Sequence, residues 1–221
     1  MPNLQSTRDL DNIIEREINA FNDKHLYGKG IYFTRERNRN NQLNGIDGYI
    51  SVPELGIEKA PCDEKASGQY VNKPLPTFLM ELSQVTASGD VVDGWFLNED
   101  NKTEYYMLMY LWATVPQTVT NEILNAEWGK INRKNITLIE YILVEKQKIK
   151  EYLKECGFDE NRLRNGANYI REHDDTDSYK TKHGFKFVIS RNLKECPVNL
   201  CINRSVYLKL CAKHGYASQF D

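Results

Sequence analysis

Hydrophobic and polar positions follow two rhythms along this chain. Between residues 8 and 22, Leu10, Ile13, Ile14, Ile18 and Phe21 recur at helical spacing, which predicts an amphipathic helix with one apolar stripe. On a wheel of about 100° per residue, Glu17 falls inside that stripe and Glu15 points away to solvent. Period-two segments come next. Ile31–Thr34, Ile46–Val52, Ile57–Ala66 and Phe78–Val85 read as strands, and Asp90–Phe96 as a turn with a short strand. Tyr105–Trp112 is apolar or aromatic throughout, the signature of a strand buried on both faces. Pro61 cannot donate a ladder hydrogen bond, so its strand is expected at an edge or a bulge there.

The second half changes character. A strand over Ile136–Val144 leads into a helix, Glu145–Cys156, that turns Ile149, Tyr152, Leu153 and Cys156 inward and stops at Gly157. Asp159 can cap a further helix with Leu163, Ala167 and Ile170 on one face. A polar loop over His173–His183, strands at Phe185–Ile189 and Val198–Ile202, and a closing helix at Val206–His214 complete the chain. With no repeat and no strong linker, residues 1–221 read as one α/β domain. Its expected plan is a central mixed β-sheet flanked by helices, with a core at 8–112, a helical subdomain at 145–175, and strands and a closing helix at 185–215.

Composition narrows the function classes. A chain of 221 residues, 27% charged and 40% hydrophobic, can bury a sizeable core and is not of the disordered type. A net charge of −2 excludes nucleic-acid binding by overall field, so such binding would need a local basic patch. Arg35, Arg37 and Arg39, alternating within the polar run 35–42, are the candidates; the run is either a phosphate-contacting loop or a solvated hairpin end. No apolar run approaches the roughly 18 residues of a membrane span, and no signal peptide opens the chain. Five cysteines then suggest reduced thiols in a cytoplasmic protein. Cys196, Cys201, Cys211 and His214 could ligate zinc, but Cys201 and Cys211 occupy apolar positions, which favours packed thiols. Trp95, Trp112 and Trp128 read as packing residues. Glycine-rich phosphate loops, Gly-x-Ser-x-Gly elbows, Cys/His nucleophile patterns and paired histidines are absent from the sequence, which removes most nucleotide-hydrolysing, serine-hydrolase and dinucleotide readings.

What remains is a set of acids placed inside strands: Asp47, Asp63 and Glu81. A buried carboxylate is costly unless paired or bound to a cation, so their convergence on a divalent metal is the expectation. Two carboxylates can hold Mg²⁺ or Mn²⁺ against a phosphodiester. Lys65 shares a strand face with Asp63 and could orient a water or neutralise the transition state. Glu17 on the helix could complete the metal shell.

In these residues the chain resembles the restriction-endonuclease-like superfamily, whose motif is Asp, a spacer, then (Asp/Glu)-x-Lys on adjacent strands after a helix bearing Glu. Asp47 matches the first acid, Asp63-Glu64-Lys65 the second element, and Glu17 the helix acid. Phe78–Leu82, Gly94–Phe96 with Tyr105–Trp112, and Leu193–Leu200 are similar to nuclease-type proteins of phages and mobile elements. The resemblance implies a Mg²⁺-dependent endonuclease cleaving DNA more readily than RNA, with Asp47, Asp63, Lys65 and Glu17 catalytic and Asp47, Asp63 and Glu81 around the metal. Glu81-Leu82-Ser83 is an alternative second element with serine in the lysine position. A fold with lapsed chemistry, binding a nucleic acid or a host protein, or a dimerising structural domain, is the alternative.

Overall fold

In the computed structural model, which describes residues 4–66, 70–73, 75–114, 131–173 and 175–220, the apolar rhythm builds two sheets rather than one. The first is mixed and six-stranded, in the order β1 (Tyr32–Arg35), β2 (Gly48–Val52), β3 (Ile57–Ala66), β6 (Tyr105–Ala113), β7 (Ile136–Glu145) and β11 (Lys213–Ser218). All neighbours in it are antiparallel except β3 and β6, which run parallel. The second sheet is antiparallel, in the order β5 (Val91–Asp93), β4 (Thr77–Val85), β10 (Val198–Asn203), β9 (Lys186–Ile189) and β8 (Ser178–Lys180). The α/β class is therefore as expected, and the second sheet is an addition to the expected plan. Four of its strands were readable one by one, while β8 falls in the expected polar loop, and their assembly joins residues 77–93 to 178–203, which no local pattern announces.

Helix α1 (Leu4–His25) covers one face of the first sheet: Ile18 and Phe21 are buried with Ile50, Cys62, Met107 and Leu143. The other face carries Tyr106, Leu108, Tyr110, Ile142 and Val144, packed in one cluster with Met80 and Leu82 of β4 and Leu200 of β10. Alternate residues of β6 thus serve two separate cores, which is why its sequence is apolar without interruption. Each such side chain stabilises the fold by about 1.5–3 kcal/mol. A short helix α2 (Arg39–Leu43) lies between β1 and β2. Helices α3 (Lys146–Glu155) and α4 (Glu160–Glu172) add Ile149, Leu153, Leu163, Ala167 and Ile170 to the second core. Asp159 caps α4, its Oδ1 accepting from the Arg162 N–H at 2.8 Å. Gly166 is needed in that helix: a Cβ there would fall 2.5 Å from the Phe187 ring.

Pro61 sits at a junction. Up to Pro61, β3 has only β2 beside it, and β6 joins from Cys62 onward; a register shift opposite Ile50–Val52 accompanies Lys59 at φ +46°. The end of the chain corrects an expectation. The closing helix is α5 (Arg204–Leu210) and stops before His214; Cys211 is extended and the chain returns as β11 along β7. Gly215 suits this path, because a Cβ there would lie 2.6 Å from the Tyr141 hydroxyl on the neighbouring strand. The side chains of Leu10, Ile13 and Ile14, and all of Trp128, lie outside the described residues. Among the described residues no helix is long and apolar enough to cross a membrane.

Candidate functional site

The antiparallel register of β2 and β3 sets Gly48 opposite Cys62, so Asp47, one residue ahead of β2, arrives beside Asp63. Backbone hydrogen bonds hold it there. The Asp47 N–H donates to the Cys62 carbonyl at 3.0 Å, and the Glu64 N–H donates to Asp47 Oδ2 at 2.9 Å. The turn before Asp47 is equally constrained. Gly45 has φ +80°, a Cβ on it would fall 2.0 Å from Asn101 Nδ2, and the Thr103 hydroxyl donates to its carbonyl at 2.5 Å.

Strand alternation then separates the motif. Asp63 and Lys65 share the face toward Tyr106 and Trp95, while Glu64 faces α1 and β1. Asp63 is only 3% exposed. Lys65 Nζ lies 2.8 Å from Asp63 Oδ2 and 4.6 Å from the Trp95 ring centroid. Burial pushes the Asp63 carboxyl up to about 7; Lys65 opposes the shift, and the charge and hydrogen-bonding proximity of Asp47 add to it. Asp63 Oδ1 is buried with no hydrogen-bond partner. Two ionised carboxylates cannot satisfy each other, since both only accept; a proton or a cation must stand between them. Burial alone would lower the Lys65 ammonium, but Asp63, then Asp47 and Glu81, outweigh it and raise it.

The structure therefore brings Asp47, Asp63 and Lys65 together, and places the other expected residues differently. Glu17 is half-buried, but its carboxylate accepts from the Arg133 N–H at 2.8 Å and pairs with the Arg133 side chain at 3.4 Å. Glu15, exposed as a residue, is the helix acid whose carboxyl feels the site: partial burial and then Asp47 raise it, against Arg35 and Lys65. The two acids flank the Ile18–Phe21 stripe on opposite sides, and the expected orientation toward the strands belongs to Glu15. Glu81 on β4 reaches the site only through Lys65. Burial raises its carboxyl, against Lys65 and the Trp95 N–H.

The arginines also divide. Arg35 pairs with Glu64, whose other oxygen takes the Tyr27 hydroxyl, and with Asp23 at 3.2 Å, so it is committed within the fold. Arg37 and Arg39 are exposed, with Arg39 opening α2 behind its Asn38 cap. The five cysteines are free thiols, and His214 is taken by Glu140 rather than by a zinc set. Among the described residues no group of three or more His, Cys, Asp and Glu is arranged around a common metal position. Two carboxylates are what the site offers, a complement that suits Mg²⁺, which keeps several waters and takes phosphate oxygens for the rest.

Three residues at the site were not among the candidates. Trp95 lies over Lys65, Asn101 packs against Gly45, and Lys146 Nζ donates to Asn101 Oδ1 at 2.9 Å and to the Trp95 carbonyl at 3.4 Å. Burial, then neighbouring Lys150, pushes the Lys146 ammonium down to about 8, with Asp63 and Glu160 opposing. A lysine in the first turn of a helix, directly after a long apolar strand, was the available signal. Comparison of the chain with protein-family models, curated proteins and solved structures gives no match.

Proposed function

We propose that this protein is a Mg²⁺- or Mn²⁺-dependent nuclease acting on DNA phosphodiesters, with a restriction-endonuclease-like core in its first sheet. The observation that carries the reading is the buried, unpartnered Asp63 Oδ1 beside the carboxylate of Asp47. The order of elements supports it too: α1, then the antiparallel β1–β2–β3 meander, with the acids where β2 begins and within β3. Asp47 and Asp63 would hold the ion, which supplies polarisation of the phosphodiester and a bound water of lowered pKa. Lys65 would place positive charge against the developing transition state. The helix acid in this scheme is Glu15 in place of Glu17.

One observation favours a second reading. Lys65 already balances Asp63 at 2.8 Å, so the sheet could persist with its chemistry lapsed and act by binding a nucleic acid or a host protein.

Calorimetric Mg²⁺ titration and cleavage of single- and double-stranded DNA, with Mg²⁺ and with Mn²⁺, separate the two. The active protein takes up metal and cleaves; Asp47→Ala loses both. Lys65→Ala keeps metal uptake and slows cleavage roughly 10²–10³-fold, the usual effect of deleting one transition-state donor. A wild type that neither binds metal nor cleaves any substrate would exclude the nuclease.

A further inference from the structure

Lys146 is a buried cation with no carboxylate at ion-pair distance among the described residues; Asp63 and Glu160 act on it only through their fields. It is 7% exposed, and both acceptors of its ammonium, Asn101 Oδ1 and the Trp95 carbonyl, are neutral. Its neighbour one turn on, Lys150, has an acid of its own, Glu160 at 2.7 Å. Lys146 forms no ion pair among the described residues. An ammonium has three protons to donate, and one here is unspent. Burying such a charge unpaired is costly.

The helix makes the imbalance worse. Lys146 opens α3, whose first turn holds no acid and whose N-cap, Glu145, makes no side-chain capping bond. The positive end of the helix therefore adds to the ammonium instead of offsetting it. An anion at this position would satisfy both.

The position is next to the acids. The Lys146 N–H donates to the Glu104 carbonyl at 2.7 Å, and the Glu104 N–H donates to the Pro61 carbonyl at 2.9 Å, so α3 begins just across β6 from the motif strand. Trp95 is shared, its ring against Lys65 and its carbonyl on Lys146. Asn101 is shared as well, between Lys146 and the Gly45 turn that delivers Asp47. Lys65 is paired with Asp63, whereas both acceptors of the Lys146 ammonium are neutral, which leaves its charge for a ligand.

We infer that Lys146 and the first turn of α3 form an anion subsite adjoining Asp47 and Asp63, which takes a non-bridging oxygen of a nucleic-acid backbone phosphate. The inference rests on the nuclease reading for the identity of the anion. The acids hold the ion and Lys146 holds the phosphate, so contact is with the backbone and carries no base preference.

The test is binding of a fluorescent DNA duplex across a salt series, in Ca²⁺ to hold the complex uncleaved, alongside Mg²⁺ titration and cleavage assays. Lys146→Gln should weaken binding roughly tenfold at low salt and make the slope of log K against log salt shallower by about 0.9, the signature of one lost phosphate contact. Lys146→Arg should keep the wild-type slope, and Mg²⁺ uptake should be the same in all three. A purely structural lysine would instead change thermal stability and leave the slope alone. Asn101→Asp is the second variant. It supplies the missing acid 2.9 Å from the ammonium and should lower affinity and slope as Lys146→Gln does, even if the latter folds poorly. A folded Lys146→Gln or Asn101→Asp with wild-type affinity and slope overturns the subsite. Absence of cleavage by the wild type overturns the nuclease instead, and the slope still decides the anion subsite.

Discussion

Asp63 and Glu140 are both carboxylates buried on the same face of the first sheet, and they are treated in opposite ways. Glu140, 1% exposed on β7, accepts from Arg204 at the start of α5 and lies 2.8 Å from His214 Nε2 on β11. Arg204 also lies over the Tyr110 ring at 5.5 Å. Neither Glu140 oxygen is left buried and unpartnered. Asp63 has a single cation, a second acid pressed against it, and one orphaned oxygen. The same desolvation cost is offset by partners in one place and left open in the other. The difference marks Glu140 as a clasp between β7, α5 and β11, and leaves Asp63 the acid to which the proposed function gives a cation.

The largest effect on stability should come from breaking the Glu140 cluster. Glu140→Ala leaves the Arg204 guanidinium without its acid and should cost about 3–5 kcal/mol in urea denaturation. Asp63→Asn should cost less than about 1 kcal/mol in metal-free protein, because it removes a charge that the fold disfavours. Equal losses for the two would erase the contrast.

The pH dependence sharpens it. The folded Asp63 carboxyl titrates at about 7, above its ordinary 3.8, so the folded state holds this proton more tightly than the unfolded chain. Its favourable contribution is complete below about pH 4 and is lost as pH rises through 7. The difference in urea midpoint between wild type and Asp63→Asn should therefore move against the wild type over that window. Saturating Mg²⁺ should remove the trend, since a cation then stands where the proton did. Parallel pH profiles for the two proteins would contradict the placement of Asp63. The smallest effect belongs to the surface. Arg164 grips Asp93 with three hydrogen bonds of 2.8–3.2 Å, yet both are partly exposed, and Arg164→Ala should cost no more than about 1 kcal/mol.

Much of this was legible along the chain, for reasons that can be named. Tyr105–Ala113 is apolar because both its faces are covered, and Asp63 and Lys65 share a face because strands alternate. The meeting of Asp47 with Asp63 needs only a short antiparallel connection between neighbouring strands. The choice between Glu15 and Glu17 was not legible. A helical wheel puts Glu17 inside the apolar stripe and Glu15 outside it, and does not show that Glu15 feels Asp47 and Lys65 while Glu17 meets Arg133. Trp95 and Asn101 lie in the connection that precedes β6 and Lys146 follows β7, so they meet only through the antiparallel pairing that sets Tyr105 opposite Glu145. The C-terminal strand was hidden by its composition: Lys213, His214 and Gly215 lack strand character, and their pairing comes from the backbone ladder with β7, where Gly215 fits against Tyr141.

The two-segment origin of the second sheet also has a consequence for synthesis. β4 emerges from the ribosome long before β10, its antiparallel neighbour, and β7 before β11. Until residues 198–218 are made, Met80 and Leu82 have no β10 against them and one backbone edge of β4 is unpaired. Such an edge can pair with another nascent chain. The pairings that complete the two sheets, β3 with β6, β4 with β10 and β7 with β11, span long stretches of sequence, which predisposes the chain to slow, largely post-translational folding. Truncation before β10 would then yield an aggregating chain, not a smaller folded unit.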